Sequence, residues 1–285
     1  MTRAPDLRTA AATGAALLCF AANSLLCRAA LAGREIDPWT FTAVRLASGA
    51  GVLIVLTRFS DRGAKGRGSF LSALALYGYA GAFSLAYLSL DAGVGALVLF
   101  ASVQATMLGW STWSGARPSL RELGGFALAF VGIVVLARPG AQLPDPLGLG
   151  LMALAGVAWG VYTLRGRAAG APLVVTRDNF VRALPLALAA LGAAFAFGTL
   201  QASARGLALA ATSGAAASGL GYSLWYLVLP RLTAVRAALL QLLVPVLAAS
   251  LGLALLDERL STRLAAAGPL VLLGVGWAVL EKRRS

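Results

Sequence analysis

The sequence predicts an all-α integral membrane protein, with ten transmembrane helices arranged as two inverted five-helix repeats. Three observations carry that expectation: the hydropathy, the spacing of the apolar runs, and a weak self-similarity between the halves. Of 285 residues 59% are hydrophobic and 12% charged, and the mean hydropathy is +0.81. Soluble domains carry charge on about 25% of positions, so the polar coat that water demands is missing. The solvent is lipid. A net charge of +13 would suit nucleic acid, but the basic residues sit between long apolar runs and not on one polar face. They read as flanks of membrane spans, and nucleic acid is not an expected partner. Cys19 and Cys27 lie along one apolar segment and cannot bridge each other. With no histidine in the chain, a zinc site has no ligand set, and no cofactor is expected.

A span needs about 20 apolar residues. The first such run, 10–31, follows Arg3 and Arg8 as a signal peptide would, but it is long enough to span and is expected to be retained. Gly33-Arg34-Glu35-Ile36-Asp37-Pro38 ends it. The second run, 38–58, opens with Trp39 as an interfacial anchor and stops at the basic stretch Arg62 to Arg67. The third and fourth, 69–90 and 92–114, are divided only by Asp91. The fifth, 119–137, ends at Arg138-Pro139-Gly140. The sixth, 146–165, carries Gly156 and Gly160, a G-x-x-x-G spacing that lets helices approach closely. The remaining runs are 173–199, 203–229, 232–256 and 263–281. Pro185, Pro245 and Pro269 mark bend points in the seventh, ninth and tenth.

Lys and Arg orient the bundle. With ten spans both termini share a side, and that side collects Arg3, Arg8, Arg58, Arg62, Lys65 and Arg67, whereas the opposite side receives Arg28 and Arg34 over the same stretch. The positive-inside rule puts the termini in the cytoplasm. The halves, 1–142 and 143–285, echo each other. A shift of 137 pairs Val44-Arg45 with Val181-Arg182, and a shift of 142 pairs Leu90, Ala92 and Leu97 with Leu232, Ala234 and Leu239. Five spans per unit is an odd number, so the second copy is inverted. Such repeats place a binding site near the bilayer midplane and suit alternating access.

Ten short helices, Leu-Asp-Glu-Arg-Leu at 256–260, and an arginine in the second span of each half resemble the drug/metabolite transporter superfamily of EamA-like proteins. Gly115-Ala116-Arg117-Pro118 departs from the Gly-Glu-Arg-Leu-like turn that the family has in the first half. Ala22 to Arg28 resembles the amino-acid exporter branch, including exporters of aromatic amino acids. The resemblance implies an inner-membrane carrier. Its central cavity would be lined mainly by the third, fourth, eighth and ninth spans, with contributions from the first and sixth.

The residues themselves point to substrate-binding candidates. Polar groups inside spans are costly and face the interior; here they are Asn23, Ser24, Gln104 and Gln241. Each could instead serve as glue between helices. Aromatics form a second layer. Tyr79, Phe83 and Tyr87 recur every fourth residue on the third span, Tyr222, Trp225 and Tyr226 cluster in the eighth, Phe100 sits one turn before Gln104, and Trp159 lies mid-span in the sixth. Packing is the competing reading for each. The substrate-binding set is Asn23, Tyr79, Phe83, Phe100, Gln104, Trp159, Tyr222 and Gln241. Arg45 and Arg182 lie well inside spans, where a guanidinium could hold a carboxylate. Their recurrence in both halves favours a structural role.

All eleven acids fall in or beside connections. That disfavours both a proton relay and a counter-charge for organic cations. The expected function is export of amino acids, aromatic and hydrophobic ones included, or of similar small amphipathic metabolites by an alternating-access facilitator. A multidrug exporter lacks its buried carboxylate. A membrane-embedded enzyme lacks clustered acids or a metal set, and a channel lacks charge rings. The partners expected are a small solute and the bilayer, and the chain is compatible with a monomer.

Overall fold

A computed structural model describes residues 7–60, 66–115, 119–137, 145–167, 171–232 and 234–255, and, in the last segment, 266, 268–270, 273–274 and 277. Residues 256–260, the turn at 116–118 and Lys65 lie outside them. Seven helices come first: α1 (Leu7–Ala32), α2 (Pro38–Ser60), α3 (Phe70–Ala86), α4 (Ala92–Trp113), α5 (Leu120–Ala137), α6 (Pro146–Arg167) and α7 (Pro172–Ala196). Then α8 (Ala204–Thr212), a π-helical stretch (Ser213–Leu220), α9 (Gly221–Val228) and a 3-10 turn (Leu229–Arg231) follow one another without a break. Last come α10 (Ala234–Gln241) and α11 (Leu243–Leu255). Five of these helices are long and apolar enough to cross a membrane, and Phe70–Ala86 and Leu239–Leu255 are shorter apolar helices. No strand occurs among the described residues. The chain is a multi-pass, all-α membrane protein.

Three elements differ from the sequence expectation, each for a local reason. The third span closes at Ala86 rather than 90, in a turn where Leu88 N and Ser89 N donate to Leu85 O and Ala86 O, and the Tyr87 ring lies against Gly95, where a Cβ would stand 2.5 Å from it. The ninth breaks at Leu242. Pro245 has no N–H for the carbonyl of Gln241, so the helical ladder cannot pass. The eighth is not a regular helix but carries the π stretch, which no propensity foretells.

Helices of the first half pack mainly on helices of the second. α2 lies against α7 and the π stretch, α3 and α4 against α6, α1 against α8, α9 and α11, and α4 against α10 and α11. The predicted glycine pair is used as expected: a Cβ at Gly156 would stand 2.4 Å from the Leu99 carbonyl oxygen, and one at Gly160 2.8 Å from Thr106 Cβ. Those glycines bring α6 onto the backbone of α4.

Both ends of the bundle are tied. At one end the α1–α2 connection pairs with the α7–α8 connection through an Ile36–Ala202 bridge, with Asp37 N donating to Gln201 O at 2.7 Å and Ser203 N to Glu35 O at 2.7 Å. Asp37 also accepts from Trp39 N and Thr40 N, so one carboxylate caps α2 and holds the bridge. Arg28 pairs with Asp91 at 2.8 Å. Asp145 caps α6 and accepts from Ser89 Oγ at 2.9 Å; the Gly148 N–H, with that hydroxyl, holds its carboxyl below the usual range. At the other end Ser69 N donates to Asn179 Oδ1 at 3.0 Å, and Arg165 Nε donates to Ser72 Oγ at 2.9 Å.

Candidate functional site

Between the tied ends the helices enclose a chamber. α1 contributes Phe20, Asn23 and Ser24, α3 contributes Tyr79 and Phe83, α4 contributes Leu99 and Phe100, α6 contributes Trp159, and α9 contributes Tyr222. Trp159 is the hub of the aromatic wall. Its ring centroid lies 4.7 Å from that of Tyr222, 5.1 Å from Tyr79 and 5.6 Å from Phe20, within the range where aromatic pairs attract. The chamber holds about 10 Å³, room for about one water molecule. A solute of any size therefore enters only when the walls part.

Six of the eight predicted residues meet here: Asn23, Tyr79, Phe83, Phe100, Trp159 and Tyr222. The two glutamines do not line the space. Gln241 is fully buried behind the wall, where its Oε1 accepts from Trp159 Nε1 at 2.8 Å and its Nε2 donates to Ala237 O at 3.3 Å. It fixes the indole rather than the chamber surface. Gln104 is buried and is not part of the lining. Tyr87, Trp225 and Tyr226 are buried as well, and Trp225 packs edge-on against Phe20 at 5.7 Å. They support the wall without forming its surface.

One residue left out of the predicted set organises the rest. Arg45 of α2 is 1% exposed. Its Nε donates to Ser218 Oγ at 3.0 Å, and its Nη2 donates to Tyr79 Oη at 3.0 Å and to Tyr222 Oη at 3.2 Å. Its guanidinium carbon lies 5.0 Å from the Tyr79 ring centre and 5.2 Å from that of Phe83, in cation–π range. Its Nη1 has no hydrogen-bond partner. The network continues from Tyr79 to Asn23, whose Nδ2 donates to the phenol at 3.3 Å and whose Oδ1 accepts from Ser213 Oγ at 2.6 Å.

The π stretch makes this possible. With backbone bonds running from i to i+5, residues five apart fall on one side, which turns both Ser213 and Ser218 toward α1 and α2. Gly214 and Gly219 let the backbones close: a Cβ at Gly214 would stand 1.9 Å from Ser48 Oγ and 2.1 Å from the Arg45 carbonyl oxygen. Arg182, paired with Arg45 by the 137-residue shift, stands exposed on α7. The two arginines that the shift pairs therefore differ in burial. The sequence marked Arg45 as an intramembrane arginine but grouped it with Arg182; the signal not used was the two Ser-Gly pairs five residues apart in the eighth span.

Ion pairs among the described residues are Arg28–Asp91, Arg177–Asp178 and Arg205–Glu35, all at the bundle ends. Asp178 lies in the second turn of α7, slightly deeper than the sequence reading put it. No group of His, Cys, Asp or Glu among the described residues is arranged to hold a metal ion.

Comparison with known proteins gives three likenesses. The EamA-like transporter family matches residues 146–280. A Pseudomonas aeruginosa protein described as uncharacterized is 51% identical over 272 residues, covering 95% of this chain and 94% of the relative. A protein of known crystal structure shares the fold with a TM-score of 0.72 at 22% identity, covering 94% of this chain and 98% of the other.

Proposed function

We propose, from the match of residues 146–280 to the EamA-like transporter family, that the chain exports amino acids, aromatic and hydrophobic ones included, or similar small amphipathic metabolites. Members of this family are membrane transporters of small metabolites. The carrying observation is the enclosed chamber, an aromatic wall with Asn23 and Ser24 as its neutral polar groups. Flat apolar faces with a few fixed polar atoms suit an amphipathic solute. Alternating access follows from two inverted units, 1–142 and 143–285. Two features support them. The family match begins at 146 and runs through the second unit. Contacts across the halves also come in corresponding pairs, α3 on α6 with α1 on α8 and α9, and α4 on α6 with α1 on α11. The basic residues favour the inner membrane, with both termini cytoplasmic.

The test is flux of labelled solutes in proteoliposomes containing the purified chain. Phenylalanine, leucine and alanine should exchange, the largest most sensitively to changes in the aromatic wall. Absence of flux for every amino acid, alongside flux of an organic cation, would replace this reading by the multidrug one. For orientation, a Lys65→Cys variant should resist an impermeant thiol reagent applied to intact cells.

A further inference from the structure

We propose that Arg45 is the anchor for a substrate carboxylate, so that the solutes carried are those bearing one. This rests on the transport reading above and names the chemistry of its site.

The first argument is hydrogen-bond capacity. A guanidinium has five N–H donors and no acceptor. Ser218, Tyr79 and Tyr222 take the Nε and Nη2 hydrogens, and Nη1 is left with none. Tyr79 Oη already accepts from both Arg45 and Asn23 and is hydrogen-bonded to Tyr222 as well, so its lone pairs are taken up within the cluster. Tyr222 Oη accepts from Arg45 as well. The cluster is rich in donors and poor in acceptors. Its complement is an anion with several lone pairs, which a carboxylate supplies and an amide or amine does not.

The second argument is charge. Arg45 is buried with no carboxylate of the described residues paired to it, and the ion pairs of those residues lie at the bundle ends. A buried arginine that served structure alone would have its fork filled, because an unpaired buried donor is destabilising. Here the vacancy lies in the donor set itself, one side chain behind the chamber, since both phenols bonded to Arg45 line that space. The chamber as it stands admits about one water. Its opening must move Tyr79 and Tyr222, and that movement uncovers the guanidinium they shield. A carboxylate then accepts from the Arg45 fork and the phenol hydrogens, leaving the solute's side chain against Trp159, Phe83 and Phe100.

The experiment is equilibrium binding to the full chain in lipid nanodiscs, using phenylalanine, 3-phenylpropionate, phenylalaninamide and phenethylamine as probes. Wild type should bind the two carboxylates at least tenfold more tightly than the amide and the amine. Arg45→Gln should bring the acid-to-amide ratio to within about twofold of one, and Arg45→Lys should keep an intermediate ratio, since it retains charge without the fork. The ratio is read within each protein, so differences in folded amount cancel. Equal binding of acid and amide by wild type, binding of none of the carboxylates, or an unchanged ratio in Arg45→Gln would each overturn the anchor. Vesicle flux separates the two readings. If acid and amide cross alike, the carrier stands and the anchor falls. If acids bind through Arg45 but none crosses, the anchor stands and the carrier falls.

Discussion

The shift that pairs Arg45 with Arg182 also sets two interfaces side by side: α2 against the π stretch, and α7 against α3. In the first, the arginine is enclosed by Ser218, two phenols and two aromatic faces. In the second, the arginine faces outward. Helical phase explains the difference. Arg45 follows Phe41 by four residues and shares its buried face. Arg182 follows Phe180 by two, which turns it to the far side of α7. The opposing surface differs too, since Gly214 and Gly219 let α2 sit on bare backbone. A residue repeated in two halves is thus not a function repeated. On the proposed reading, one asymmetric solute needs only one such polar centre.

The largest effect should come from filling the glycine contact. Gly214→Ala places a Cβ against backbone that has no room to yield, 2.1 Å from the Arg45 carbonyl oxygen. We expect at least a tenfold loss of monodisperse protein on size-exclusion chromatography. Gly51→Ala, on the same α2 but with nothing within 4 Å of its added Cβ, should leave the yield unchanged. Equal behaviour of the two would mean the π stretch does not depend on that approach.

Next comes the arginine pair. Arg45→Met removes a buried charge that has no counter-ion among the described residues, and the relief of its desolvation offsets the hydrogen bonds lost to Ser218, Tyr79 and Tyr222. The melting temperature in detergent should hold or rise while phenylalanine flux drops at least tenfold. Arg182→Met should change neither by more than the error of measurement. A large drop in melting temperature for Arg45→Met would mark that residue as structural.

Smaller effects lie in the wall. Phe83→Ala should weaken flux of phenylalanine several-fold more than that of alanine, because contact area counts only for a side chain that reaches it. Equal losses at normal protein levels would identify Phe83 as packing. Gln241→Leu leaves the buried Trp159 Nε1 without its acceptor, a penalty of about 1–3 kcal/mol. It should lower phenylalanine flux a few-fold, with near-wild-type expression.

The all-α membrane class was legible in the sequence, as were six of the residues that meet in the chamber, because lipid leaves few choices. A span must be apolar for its full length, and a polar or bulky aromatic residue inside it has to face protein. That logic found Asn23, Tyr79, Trp159 and Tyr222. Gln104 and Gln241 lie outside the chamber lining, and a buried amide such as Gln241, bonded to Trp159, looks the same in sequence as one facing a cavity. The phase of α2 was equally hidden: when both faces are apolar, one facing lipid and one facing protein, periodicity carries no contrast. The π stretch depends on tertiary contacts around Gly214 and Gly219, which local propensity does not encode.

The smallest expected effect is that of an imposed proton gradient. A coupled carrier holds its proton on a group that titrates while shielded and that alternates between the two sides. The chain has no histidine. Of its described carboxylates, Glu35, Asp37, Asp91 and Asp145 are engaged at one end by Ser203, backbone N–H groups, Arg28 and Ser89, and Asp178 is engaged at the other by Arg177. None reaches the chamber, whose lining is aromatic, amide and hydroxyl. Glu258 and the side chain of Glu122 lie outside the described residues. Glu122 opens the fifth run and Glu258 stands just beyond the ninth, so they are the positions at which a relay is to be sought. Flux should follow the substrate gradient, and a pH gradient or a protonophore should change its rate by less than about twofold. A proton also has no place in the Arg45 network, where the guanidinium stays charged at any physiological pH. Accumulation of phenylalanine against its gradient only under a proton gradient, abolished by Glu122→Gln or Glu258→Gln, would make the protein a coupled carrier. The polar centre at Arg45 would then share control with a carboxylate near a bundle end.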